Sequence, residues 1–237
     1  LNLLWRPEGE PSGPWLVLGS CESTPAEAGL HRAAAELLDS LPIRALAVEG
    51  AEILSIAPYF AEYRPFVEGN GAAFVPVPAD RKAFQIDCAA LEERITAHTQ
   101  AVIVNSPNNP SGVVYTRETL ERLAEVLTRK SRELGHPIYI ISDEPYRELV
   151  YDGAEVPFLP DIYPNTVICY SYSKSLSMPG ERIGYVCVPD RAEDSGLLFA
   201  AAAGAARSLG HVCAPSLQQR VAAACAASRP DLEASAR

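Results

Sequence analysis

The chain has 237 residues, which is enough for one large domain or for one domain and part of another. Hydrophobic residues make up 48% of it and charged residues 21%, which is typical of a globular protein and excludes a largely disordered one. The formal net charge of −10 argues against binding to nucleic acid or to an anionic membrane, because both need a basic face, so neither is expected as a partner.

The first fifty residues differ in composition from the rest. The stretches RPEGEPSGPW and GSCESTPAEAG hold most of the local Pro, Gly and Ser, so residues 1–50 are interpreted as a loop-rich lead-in. Residues 51–237 are interpreted as the main domain. The chain opens at Leu1 within an apolar pattern and stops just after a helical stretch, so we expect a fragment of a longer protein, incomplete at both ends.

From about residue 40 onward, short β-branched runs alternate with amphipathic stretches. Several of the runs are apolar throughout rather than alternating, which is typical of parallel strands covered on both faces. No apolar run is long enough to span a membrane as a helix. Strands are predicted over residues 43–48, 52–57, 72–77, 101–105, 138–142, 166–171 and 184–189.

Helices are predicted between these strands. Asp87 is a candidate N-cap for CAALEERITA, and Thr116 for TRETLERLAEVLTRKSREL, whose apolar residues recur at helical spacing. Further helices are predicted over about 193–209 and from about 215. The alternation predicts an α/β fold, a three-layer αβα arrangement around a mostly parallel sheet.

The six cysteines are scattered, without a CxxC pair or a Cys/His ligand spacing. The four histidines form no metal motif either, so no metal site is predicted. Several cysteines lie in apolar runs, where a buried reduced thiol is expected. A chain of this size does not need a disulfide framework, which favours a cytoplasmic location.

Polar clusters follow three of the predicted strands. They are SPNNPSG (106–112), DEPYREL (143–149) and SYSKSLSMPGERIGY (171–185). Taken singly, each has a plain structural interpretation: a common turn, a helix cap at Asp143 and a solvated lysine at Lys174. Ligands of open α/β sheets, however, bind beyond the carboxyl ends of the strands, where these clusters converge.

Together the clusters contain the groups that pyridoxal 5'-phosphate requires. Its aldehyde needs a lysine for a Schiff base, and its ring nitrogen needs a carboxylate that keeps it protonated. Its ring hydroxyl needs hydrogen-bond donors, and its phosphate needs hydroxyls, an arginine or a helix N-terminus. This cofactor is therefore predicted.

The motifs NSPNNPSG, SDEPYREL and SYSKSLSMPGERIGY, with the spacing between them, resemble the class I and II aminotransferases of the aspartate-aminotransferase-like superfamily. The resemblance covers about residues 50–230. It implies the large domain of the pyridoxal-phosphate-dependent transferases of fold type I, with an amino acid and a 2-oxo acid as substrates. It also implies a homodimer for the full-length protein.

The resemblance assigns the catalytic residues and those that hold the cofactor ring. It implies that Lys174 forms the Schiff base and moves the proton between the substrate α-carbon and the cofactor. It implies that Asp143 pairs with the pyridinium nitrogen, and that Tyr146 and Asn109 bind the ring hydroxyl.

The resemblance also assigns the phosphate site and a stacking residue. Ser171 and Arg182 are the implied phosphate ligands, and Ser173 is a second serine candidate for the same role. Phe60 in APYFAEY matches the aromatic residue that stacks on the ring, with core packing as the alternative interpretation and Tyr59 as the adjacent candidate.

Parts of the family pattern are not found. These are the small-residue loop whose backbone N–H groups hold the phosphate, and the small domain with the arginine that binds the substrate carboxylate. Residues 8–50 are also unfamiliar, and are interpreted as an insertion or a sequence artefact. We therefore expect the chain to carry the cofactor half of an active site.

Three alternatives remain open at the level of sequence. Carbon–sulfur lyases, other β-lyases and cyclopropane-carboxylate synthases share these motifs, because the reaction depends on substrate-side residues. Aminotransferase-like domains also serve as sensors in some bacterial regulators. A decayed or truncated pseudoenzyme is the third alternative, and residues 8–50 give it some weight.

Overall fold

The computed structural model describes residues 15–19 and 40–228. Within them, seven strands form one sheet in the order β1-β7-β6-β5-β4-β2-β3. Strands β2 to β6 pair in parallel, whereas β7 runs antiparallel to both β6 and β1. The strands are β1 (Trp15–Gly19), β2 (Glu52–Ala57), β3 (Ala73–Pro78), β4 (Thr99–Asn105), β5 (Tyr139–Asp143), β6 (Thr166–Ser171) and β7 (Ile183–Cys187).

Helices cover both faces of this sheet. The helices in the described part are α1 (40–46), α2 (Tyr63–Gly69), α3 (Cys88–Glu92), α4 (Arg117–Leu134), α5 (Leu159–Ile162), α6 (Tyr172–Ser175), α7 (Ser195–Ser208) and α8 (Ser216–Ser228). None of the helices in these two ranges is long and apolar enough to cross a membrane.

The apolar strands bury alternate residues in two separate cores. Along β4, Ala101 and Ile103 join a cluster that includes residues of α1 and α7. The intervening Val102 and Val104 join a second cluster, which contains the buried face of α4. A strand that buries both of its faces has no polar side, which explains its continuous apolar sequence. The predicted three-layer α/β fold with a mostly parallel sheet is confirmed.

The capping predictions are confirmed, with one difference in length. The Thr116 side chain accepts a hydrogen bond from the Thr119 N–H at the start of α4, and this helix ends at Gly135 with φ of 76°. Asp87 caps α3 by accepting from the N–H groups of Ala89 and Ala90. However, α3 ends at Glu92, so the predicted helix through CAALEERITA is shorter than expected.

The strand predicted over residues 43–48 is wrong, because residues 40–46 form α1. Ile43 and Leu46, three residues apart, are buried, whereas Val48 is 56% exposed. This spacing is that of a helix face, and a short apolar run does not distinguish a buried helix from a buried strand.

Much of the described part of the lead-in over residues 1–50 is helix or strand, with residues 47–50 as the exception. Residues 15–19 are strand β1, which pairs with β7, and residues 40–46 are α1. Residues 1–14 and 20–39 lie outside the described part, as do residues 229–237.

In the described ranges no disulfide joins the cysteines, and no group of His, Cys, Asp and Glu side chains is arranged to hold a metal ion.

Candidate active site

The three polar clusters meet at the edge of the sheet where β4, β5 and β6 end. Asn105 at the end of β4 pairs with Asp143 at the end of β5, and Asp143 pairs in turn with Cys169 in β6. Asp143 therefore lies between the loop that follows β4 and the helix α6 that follows β6. The sheet thus brings together segments that are far apart in sequence.

The Asp143 carboxylate is held by two side chains. The Tyr63 hydroxyl donates a short hydrogen bond to Oδ2, and Asn105 Nδ2 donates to the same oxygen at 3.2 Å. Asn105 Nδ2 also donates to the Asp143 carbonyl oxygen at 2.9 Å. Burial raises the pKa of Asp143, and the hydrogen bond from Tyr63 opposes that rise.

The helix-cap interpretation of Asp143 is wrong, because residues 145–148 form a turn rather than a helix. Neither Tyr63 nor Asn105 received a role from the sequence. The available signals were weak: Tyr63 lies three residues after Phe60, and Asn105 opens the NSPNNPSG motif. Only the fold shows that both side chains reach Asp143.

Asn109 and Tyr146 are brought together from two loops. The Asn109 backbone N–H donates to Asn105 Oδ1 at 2.6 Å, which orients the loop after β4. The Asn109 side-chain amide then donates to the Tyr146 hydroxyl at 3.4 Å. Burial and the negative charge of Asp143 raise the pKa of Tyr146, and the hydrogen bond from Asn109 opposes this.

Lys174 lies in the one-turn helix α6, and its side chain reaches the Tyr146 ring. Its Nζ is 5.8 Å from the centre of that ring, although the residue as a whole is exposed. Ser171 begins the helix as its N-cap by accepting a hydrogen bond from the Ser173 N–H, and the two serine Oγ atoms are 2.7 Å apart. Lys174 and the two serines therefore lie on one short turn.

Arg182 lies at the same edge of the sheet as Ser171. The antiparallel pairing of β6 with β7 sets Ser171 opposite Gly184, so the residues just before β7 lie beside the end of β6. The Arg182 backbone is in the left-handed region, with φ of 50°, and its Nη1 donates to the Pro179 carbonyl at 2.6 Å.

Phe60 is partly buried beside the Asp143 site. Its ring meets the Tyr63 ring edge-on, with the two centroids 5.6 Å apart, and it also packs against the core that contains α1. Tyr59 instead packs edge-on against Phe74 at 4.9 Å. Phe60 thus contacts the residue that bonds to Asp143, while also packing on the core.

A cavity of about 760 Å³ opens beside Asn109 and Tyr146. One wall is the loop after β4 and the other is the segment from Tyr146 to Ala154. Its size is that of a pocket for a small molecule.

A sequence model of the family described as aminotransferase class I and II matches residues 32–236. The chain belongs to this family. The match begins inside the lead-in, upstream of residue 50, where the resemblance of the motifs begins.

Named relatives of the chain agree with the family assignment. It is 36% identical to the probable aspartate/prephenate aminotransferase of Aquifex aeolicus, over 67% of this chain and 40% of that protein. It is 40% identical to the aspartate aminotransferase of Geobacillus stearothermophilus, over 60% of this chain and 36% of that protein. The aligned part is thus about two fifths of these relatives or less.

Solved structures of aminotransferases share the fold. An amino transferase from Eubacterium rectale is 56% identical, with a TM-score of 0.81 over 85% of this chain and 51% of that one. The aspartate aminotransferase of Thermus thermophilus with maleate is 28% identical, with a TM-score of 0.66 over 83% of this chain and 45% of that one. The chain therefore has the α/β architecture of fold type I and spans about half of these structures.

Proposed function

We propose that the chain is the cofactor-binding half of a pyridoxal-phosphate-dependent aminotransferase, which moves an amino group between an amino acid and a 2-oxo acid. The observation that carries the proposal is the meeting of Asp143, Asn109, Tyr146 and Lys174 at one edge of the sheet. The relatives named above are aminotransferases, which favours transamination over the lyase, cyclopropane-synthase and sensor alternatives.

The chemistry of these side chains fits pyridoxal phosphate. Burial raises the pKa of the Asp143 carboxyl, and a protonated ring nitrogen would supply a positive charge that favours the carboxylate. Asn109 and Tyr146 offer an amide and a hydroxyl to the ring oxygen. Ser171 and Ser173 present two hydroxyls for the phosphate, with Arg182 as its cation.

When bound, pyridoxal phosphate supplies an electron sink for the negative charge that develops at the substrate α-carbon. Asp143 would hold a positive charge at the ring nitrogen, which would favour this redistribution of charge. Once its amine is free of the cofactor aldehyde, Lys174 would accept the α-proton of the substrate at Nζ and pass it to the cofactor. Phe60, which contacts Tyr63, would stack on the cofactor ring.

We also propose a class of substrates, an oligomeric state and a cellular location. The relatives are named for aspartate, for prephenate and, in Pseudomonas aeruginosa, for arginine and pyruvate, so the substrates are proposed as an amino acid and a 2-oxo acid. A homodimer is proposed from the family resemblance. A cytoplasmic location is proposed from the scattered cysteines.

Covalent trapping of the cofactor tests the proposal. The purified protein is mixed with pyridoxal phosphate, reduced with borohydride and mapped by mass spectrometry, with the absorbance spectrum recorded in parallel. We expect the label on Lys174, and its loss in Lys174→Ala. Lys82→Ala removes an exposed lysine from the loop between β3 and α3 and is the matched control. A label that persists unchanged in Lys174→Ala would contradict the proposal.

A further inference from the structure

Tyr170 is a buried tyrosine at the end of β6 that the proposed function does not use. It is 5% exposed, and its ring stacks on Tyr185 with the centroids 5.0 Å apart. Tyr172 meets the same ring edge-on at 5.2 Å. The ring is therefore held from several sides, which fixes the position of its hydroxyl group.

The Tyr170 hydroxyl joins two segments that bear candidate active-site residues. It lies 2.9 Å from Glu148 Oε2 and 2.7 Å from Ser175 Oγ. Because a phenol has one proton, it donates to the carboxylate and accepts from the serine hydroxyl. Glu148 lies two residues after Tyr146, and Ser175 directly follows Lys174.

Both of the joined segments are too short to hold themselves in place. Helix α6 has four residues, and a single helical turn is not stable on its own. The segment that carries Tyr146 is a turn. Each therefore depends on side-chain contacts, and the Tyr170 hydroxyl supplies one contact to each.

A second set of contacts anchors the Tyr146 segment around the same tyrosine. Glu144 is 4% exposed and accepts hydrogen bonds from the Ser142 hydroxyl at 2.6 Å and from Arg147 Nε at 2.7 Å. The Arg147 guanidinium lies over the Tyr170 ring, 5.8 Å from its centre. The Glu144 side chain of this ion pair is buried, whereas the Arg147 side chain is 19% exposed, and the pair ties the Tyr146 turn to the residue after β5.

We propose that Tyr170, with Glu148 and Ser175, is a positioning network that fixes the Lys174 amine relative to the Tyr146 ring. The inference rests on the proposed function, because the distance between Lys174 and Tyr146 matters only if both residues bind the cofactor. Loss of the Tyr170 hydroxyl frees α6 and the Tyr146 segment to move independently. Lys174 then adopts less often the orientation that reaches the cofactor, so the affinity for the cofactor falls.

The test compares two conservative variants. Tyr170→Phe and Tyr163→Phe each remove a buried tyrosine hydroxyl and keep the ring. The Tyr163 hydroxyl donates to the Ile138 carbonyl at 2.7 Å, just before β5 begins and thus at the opposite edge of the sheet. We expect similar losses of thermal stability in both. Tyr170→Phe should weaken pyridoxal phosphate binding about tenfold, as expected for loss of a hydrogen bond to a charged group, and Tyr163→Phe should not.

A rescue experiment separates positioning from folding. Glu148→Gln keeps an acceptor for the Tyr170 hydroxyl and should bind the cofactor more tightly than Glu148→Ala, which should behave like Tyr170→Phe. Equal cofactor affinities for Tyr170→Phe and Tyr163→Phe would overturn the positioning network alone. Failure of the unaltered chain to attach pyridoxal phosphate at Lys174 would instead overturn the proposed function.

Discussion

At the scale of single residues, the state of the Asp143 carboxyl decides what the site can bind. Its raised pKa means that burial favours the neutral acid, whereas pairing with a cationic ring nitrogen requires the carboxylate. Tyr63, itself 1% exposed, donates a hydrogen bond that favours the charged form. The tyrosine hydroxyl and the incoming cation therefore act in the same direction.

Substitution of Tyr63 tests this coupling. Tyr63→Phe removes the hydrogen bond, so the pKa of Asp143 should rise further and the carboxylate should form only at higher pH. Because the cofactor binds the charged form, its affinity should fall with decreasing pH, and this fall should begin at a higher pH in the variant. In the pH range where Asp143 titrates, we expect cofactor affinity to fall about tenfold, as for loss of one hydrogen bond to a charged group.

The measurement is the dissociation constant of pyridoxal phosphate as a function of pH. Tyr59→Phe is the matched control, since Tyr59 lies in the same segment and packs on Phe74. Superimposable pH profiles for Tyr63→Phe and the unaltered chain would show that Tyr63 does not tune Asp143.

At the scale of elements, helix α4 is capped at both ends, by Thr116 and Gly135, and its apolar face packs in one of the buried clusters. Thr116→Ala removes the hydrogen bond to the Thr119 N–H and should lower the free energy of unfolding by about 1 kcal/mol. Urea denaturation measures this loss. Thr128→Ala, inside the same helix, is the control and should cost less, because alanine favours a helix interior. Equal losses in both variants would rule out the capping explanation.

The accuracy of sequence prediction differed between elements for physical reasons. Strands β2 and β6 were predicted with the bounds that the structure has, because their apolar runs are isolated by turns. Helix α4 was predicted because its caps and periodicity agree. The short helices α2, α5 and α6 have too few residues to show a period, and they received no prediction.

Site residues that belong to a sequence motif were predicted, whereas residues that reach the site only through side-chain packing were missed. The segments bearing Asn109, Tyr146 and Lys174 follow strands, and strand ends converge in a parallel sheet. The contacts of Tyr170 with Glu148 and Ser175 depend on side-chain directions in three segments, which no local pattern encodes.

At the scale of the whole molecule, the two larger buried clusters of the described residues lie on opposite faces of the sheet. Leu123 is fully buried in the core under α4, away from the cluster that contains α1. Leu123→Ala should lower the free energy of unfolding by about 2–5 kcal/mol, because it removes buried methyl groups and leaves a cavity. Thermal or urea denaturation provides the measurement.

Leu197 offers the matched control, because it is 73% exposed on α7. Leu197→Ala should change stability by less than about 0.5 kcal/mol. A Leu123→Ala variant as stable as the control would mean that α4 contributes little to holding the sheet.

The pairing of Asn105 with Asp143 links the register of strands β4 and β5 to the shape of the candidate active site. One amide group bonds both to the Asp143 backbone carbonyl and to its carboxylate. A slip of one residue between β4 and β5 would set Ser142 or Glu144 opposite Asn105 and would reverse the faces of the strand. The register that aligns β4 with β5 therefore also places the Asn105 amide on the Asp143 carboxylate, so this contact forms without a ligand.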